Sequence, residues 1–155
     1  MAEFKVAEEG HVVQILTPLD GGGTATRTST YVNMENYSHC DIILVQGVSA
    51  GTGTAILMNS ATTSGGDAIA ANYYAEETTT GDVLGERTTL ATTGLTMAAT
   101  SATMYVISVE ATDLQADHGY IGLALSALDS TTLTCAIAIL SGARYGSPES
   151  ATVIA

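Results

Sequence analysis

The residues with the clearest potential for chemistry are Gly47-Val48-Ser49-Ala50-Gly51, which match the G-x-S-x-G pattern of a nucleophilic serine. In a hydrolase such glycines permit a strained turn between a strand and a helix, which lifts the serine hydroxyl toward a histidine and a carboxylate. The histidines here are His11, His39 and His118, with Asp113 or Asp117 as a carboxylate. Beyond the serine, Thr52-Gly53-Thr54-Ala55-Ile56-Leu57 reads as a turn and then a strand. An elbow of this kind needs a helix there and parallel strands behind it, and the chain has no pattern for either. Ser49 is therefore expected in a hairpin loop. Gly51-Thr52-Gly53 fails as a phosphate cradle for the same reason, since no helix N-terminus comes after it. No catalytic residue is assigned, and the chain is not expected to be an enzyme.

Metal chemistry is equally thinly signalled. Cys40 and Cys135 lie far apart, each inside an apolar run and without a second Cys or a His at zinc-ligand spacing. They read as small hydrophobes. Glu8-Glu9 and Glu76-Glu77 are adjacent, and neighbours on a strand point to opposite faces, so neither pair is a ready dyad. The calcium-loop pattern of alternating acids closed by a glutamate is absent, which leaves carboxylates gathered from several loops as the route to a calcium site. Solvated charges that block edge-to-edge sheet pairing are the commoner use. No metal and no cofactor are expected. His118, between Asp117 and Gly119, reads as a solvated loop histidine, and His39 as a local partner at the start of a buried strand.

Tyrosine supplies most of the aromatic rings: Tyr31, Tyr37, Tyr73, Tyr74, Tyr105, Tyr120 and Tyr145. Each buries a large ring and keeps a polar handle, which suits cores and subunit contacts. Tyr73 and Tyr74 on one strand would point to both faces of a sheet. No basic residues are interleaved with these rings, so base stacking is not indicated.

The elements that must position these residues have a period of two. Ile121, Leu123 and Leu125 alternate with Gly122, Ala124 and Ser126; Leu133, Cys135, Ile137 and Ile139 alternate with Thr134, Ala136 and Ala138. Such alternation marks strands with one face on a core, here expected to be the large-residue face. The small residues opposite would allow a second sheet or subunit to approach closely. Further strands are expected at Val12–Thr17, Thr28–Asn33, Asp41–Val48, Thr54–Asn59, Ile69–Glu76, Arg87–Ala91 and Thr103–Glu110. Ile42-Ile43-Leu44-Val45 is apolar on both faces and reads as a central strand. Gly-Asp-rich turns such as Asp20-Gly21-Gly22-Gly23 and Ser64-Gly65-Gly66-Asp67 separate the strands, and Glu110–Ala116 reads as a turn. The expectation is one all-β domain over 1–155, an antiparallel β-sandwich of jelly-roll or other Greek-key type. Residues 1–10 form an extended N-terminal arm, 11–145 the sandwich and 146–155 a C-terminal tail.

Sixteen carboxylates face four basic side chains (Lys5, Arg27, Arg87 and Arg144), a net charge of −12. Phosphate backbones and anionic membranes would be repelled, so neither nucleic acid nor membrane is an expected partner. No apolar run approaches the length of about 20 residues that a membrane helix needs. The N-terminal residues lack the apolar stretch of a secretion signal, which implies synthesis in a cytoplasm and leaves the Asn36-Tyr37-Ser38 sequon without meaning.

Several stretches together resemble a family. They are Val12-Val13-Gln14-Ile15-Leu16, Asn36-Tyr37-Ser38-His39-Cys40-Asp41-Ile42-Ile43, Asn72-Tyr73-Tyr74-Ala75-Glu76-Glu77-Thr78, Leu84-Gly85-Glu86-Arg87-Thr88 and Ala138-Ile139-Leu140-Ser141-Gly142-Ala143-Arg144-Tyr145. In this order they resemble the head decoration (cement) proteins of tailed bacteriophages. The resemblance implies a non-enzymatic β domain, often a homotrimer, on the outer capsid surface of the virion, where it clamps adjacent major capsid proteins. Another virion component (a tail, neck or fibre subunit) and a glycan-binding adhesive sandwich are the alternatives. The contact residues expected on this reading are Tyr73, Tyr74, Arg144, Tyr145, Val153 and Ile154.

Overall fold

Threonine, valine and isoleucine at every second position favour an extended backbone. The computed structural model describes residues 5–20, 26–77 and 83–143, and among them twelve strands form. They are β1 (His11–Asp20), β2 (Arg27–Thr28), β3 (Val32–Asn33), β4 (Tyr37–Gln46), β5 (Gly53–Ser60), β6 (Asp67–Ala68), β7 (Ala71–Glu77), β8 (Thr88–Leu90), β9 (Leu95–Met97), β10 (Thr103–Glu110), β11 (Tyr120–Ser126) and β12 (Leu133–Ala143). Within the expected N-terminal arm, Val6–Glu9 is not extended but makes one helical turn, α1, closed by the Gly10 N–H donating to Val6 O at 2.9 Å.

Two antiparallel sheets pack as a sandwich. The first runs β1-β12-β4-β10-β7-β8. The second runs β2-β11-β5-β6, with β3 also on β11 and β9 also on β5. The pairings nest: β1 with β12, β2 and β3 with β11, β4 with β10, and β5 with β9. This is one long hairpin rolled so that β4 meets β12 and β5 meets β11, which is the jelly-roll arrangement. The strands β6, β7 and β8 are an insertion within it: β6 stays on β5 in the second sheet, while β7 and β8 widen the first.

The expected segment Thr28–Asn33 splits into β2 and β3 because Thr30 leaves the second sheet. Its N–H and hydroxyl both donate to Ile15 O on β1, tying one sheet to the other. Ile69–Glu76 likewise divides: Ile69 N–H still donates to Leu57 O on β5, and the chain then crosses to pair with β10.

The inward face of the first sheet is read from its register. One row is Leu16, Ala136, Leu44, Tyr105 and Ala75; the next is Val13, Ala138, Ile42, Ile107 and Tyr73. Here the structure corrects the expectation for β12. Its small residues Thr134, Ala136 and Ala138 face the core, while Leu133, Cys135, Ile137 and Ile139 face outward. Each core-facing alanine sits between two larger neighbours in its row, so a large side chain there would overfill the layer. On β11 the expectation holds, with Ile121, Leu123 and Leu125 all fully buried.

Candidate functional site

The outward side of the first sheet gathers the apolar side chains that the core leaves unused. Across the strands, Gln14, Ile137, Ile43, Val106 and Tyr74 share one register row, and Cys135, Val45 and Met104 share the row beside it. Leu133 extends this surface along β12 at one end, and Val12 and Ile139 extend it at the other. Leu133, Ile137 and Val12 are 45%, 36% and 50% exposed, and Ile43, Val45, Met104, Val106, Cys135 and Tyr74 are half-buried. A solvent-facing antiparallel strand ordinarily alternates apolar with polar residues. These strands put apolar residues on both sides.

The face ends in a polar band of Asn72, Ser108 and Asp41, then Glu110, His39 and Ser141. His39 and Asp41 share an outward face as neighbours-but-one on β4, and Glu110 is the cross-strand partner of His39 on β10. The His39 ring is held between the two acids, with Nε2 3.0 Å from Asp41 Oδ1 and Nδ1 3.0 Å from Glu110 Oε1. One imidazole opposite two half-exposed carboxylates leaves this end of the face net negative. The local role expected of His39 is the one it has.

The sequence-predicted contact residues divide. Tyr74 lies on the apolar face, whereas Tyr73 turns inward beside Ile107 and packs against the core. The pair does point to both sides of the sheet, so only Tyr74 remains on the outward surface. Arg144, Tyr145, Val153 and Ile154 lie outside the described residues.

Ser49 sits in the loop between β4 and β5. Those strands belong to different sheets, so the loop is an arch across the sandwich rather than the expected hairpin. The serine hydroxyl donates to Gly51 O at 2.8 Å, and its N–H donates to Ser101 Oγ at 3.2 Å. The chain then enters a strand, so the hydroxyl closes a turn and is not presented on an elbow. His118 keeps the loop position expected of it and is partly exposed. It lines a cleft of about 520 Å³ with Asn33, Glu35, Leu114, Asp117 and Tyr120, and its Nδ1 lies 3.4 Å from Oδ1 of the fully buried Asn59. Among the described residues no group of three or more His, Cys, Asp or Glu is placed to hold a metal ion.

The two cysteines also part company. Cys40 is completely buried, and burial pushes its thiol well above the usual range, with the Asp41 carboxylate adding to the effect. Cys135 is half-exposed in the middle of the outward apolar face. Sequence reasoning missed Ile43, Val45, Met104, Val106, Ile137 and Ile139 as surface residues. The signal lay in Ile42-Ile43-Leu44-Val45, where an apolar residue at every position meant that both sides of the strand needed a covering. Comparison of the chain with family models, curated proteins and solved structures finds no match.

Proposed function

We propose that this chain is a structural assembly subunit: a decoration protein of a tailed-phage head that binds the outer surface of the shell and stabilises contacts between major capsid proteins. The observation that carries an assembly role is the half-exposed apolar face of the first sheet. Ile43, Ile137 and Val106 lie side by side there on the three central strands of the jelly roll. Contiguous outward apolar patches of this kind mark protein contacts. The sequence resemblance supplies the identity of the assembly. The acidic surface supports a position outside the shell, away from packaged DNA, and a homotrimer would let weak single contacts add up over a lattice.

The test is cosedimentation of the full chain with purified shells lacking this protein. Saturable binding at a fixed number of copies per shell subunit is the expected result, with a rise in the temperature at which the shells break. Absence of the chain from the pelleted shells at all concentrations would contradict the reading.

A further inference from the structure

We propose that the outward face of the first sheet is the docking surface for a protein of a different kind from this chain. That partner presents an apolar patch flanked by Lys or Arg side chains, which meet Asp41 and Glu110. This rests on the reading above, in which that protein is the shell subunit.

Two observations select this occupant over a second copy. The first is area. From Tyr74 across to Ile137, and from Leu133 along to Ile139, the patch spans about 300 Å² at the spacing and rise of an antiparallel sheet. A stable pair of proteins needs about 800 Å² from each partner, so two copies meeting through this patch alone would hold only weakly. A patch of this size serves when several copies attach to one surface together. The second is charge. The polar end of the face holds two carboxylates, 40% and 59% exposed, around a single imidazole. A second copy brings sixteen more acids and only four basic groups, so it repels where a partner should attract. A basic flank on the partner answers both carboxylates, and it also fixes the direction in which the sheet lies on the surface.

The experiment measures binding of the full chain to purified undecorated shells for three forms: the wild type, the variant Ile43→Thr/Val106→Thr/Ile137→Thr, and the variant Asp41→Asn/Glu110→Gln. Threonine keeps the strand preference, and a thermal melt of each form verifies folding. The single change Ile137→Thr, at the most exposed of the three sites, replaces the triple variant if that one does not fold. The triple variant should bind roughly a hundredfold more weakly, and Ile137→Thr alone about fivefold. The carboxylate variant should bind about tenfold more weakly at low salt, with a difference that shrinks as salt is raised. If the wild type binds and the threonine variants bind equally well, the docking surface is elsewhere and this inference fails while the assembly reading stands. If the carboxylate variant matches the wild type at every salt concentration, the basic flank is wrong. If the threonine changes alter the self-association mass and leave shell binding intact, the face joins copies of this chain and the inference is overturned. If the wild type itself does not bind shells, the assembly reading fails, and the inference fails with it.

Discussion

The two sheets of this jelly roll are built by the same alternation, yet their outward faces are finished differently. On the second sheet, β11 turns Gly122, Ala124 and Ser126 outward, and the protein roofs that strand itself. The Tyr31 ring lies on Gly122 so closely that a Cβ there would stand 2.8 Å from the ring, and its hydroxyl donates to Gly65 O at 2.6 Å. The turn at Gly94 closes over Ile56 of β5 in a similar way. On the first sheet, β12 turns Leu133, Cys135, Ile137 and Ile139 outward and leaves them partly exposed. Where the Tyr31 ring covers β11, the strand beneath is trimmed to Gly122, whereas β5 under the Gly94 turn keeps Ile56. The outer face of the first sheet keeps large branched side chains that the core does not need. On the proposed reading, the first sheet is finished by a partner.

The comparison is sharpened most by adjacent residues on one strand. Ile42 is fully buried and its neighbour Ile43 faces outward. Ile42→Ala should cost about 2–5 kcal/mol in denaturant unfolding, as should Leu123→Ala on β11. Ile43→Ala should cost no more than about 1 kcal/mol. Equal losses at 42 and 43 would mean that the outer face is packed as tightly as the core.

A smaller effect tests the roof over the second sheet. Gly122→Ala forces a methyl against the Tyr31 ring and should destabilise by about 1–3 kcal/mol. In a Tyr31→Ala background the same change should cost under about 0.5 kcal/mol, because the obstruction is gone. Equal costs in both backgrounds would show that Tyr31 does not set the requirement for glycine.

Next comes a pH effect carried by the inside of the first sheet. The folded protein keeps the Cys40 proton at a pH where the unfolded chain gives it up. Its contribution is therefore complete below the ordinary thiol range and is lost as pH rises above it, by about 1.4 kcal/mol per pH unit at most. Unfolding measured between about pH 8 and 10 should show that slope in the wild type and lose it in Cys40→Ala. On the outer face, Ile43→Thr/Val106→Thr/Ile137→Thr should stay within about 1 kcal/mol of the wild type, since these side chains are only partly withdrawn from water.

Much of the fold could be read from alternation, and the places where reading failed have physical reasons. Thr103–Glu110 is legible to the residue because it lies between two long strands and every second side chain reaches the core. The three-residue strand Leu95–Met97 is too short to show a period. The inverted side of β12 was illegible because periodicity gives two faces without naming the inner one. Which set faces inward is decided by the neighbours, where Leu44 and Ile42 fill the space beside Ala136 and Ala138. Nor could the grouping of His39, Asp41 and Glu110 be foreseen, since Glu110 reaches β4 only through the register of β10. The apolar face was half legible: Ile42-Ile43-Leu44-Val45 required covering on both sides, but strand order was needed to bring Val106 and Ile137 alongside Ile43.

The most direct test uses the cysteine already in the middle of the outward face. Cys135 is half-exposed beside Val45, and Cys40, fully buried on the inner side, serves as an internal control. Alkylation of the folded chain with a maleimide should label Cys135 and spare Cys40, and binding to undecorated shells should slow the labelling of Cys135 about tenfold or more. Labelling of Cys135 at the same rate in free and shell-bound protein would contradict the claim that this face is where the partner sits.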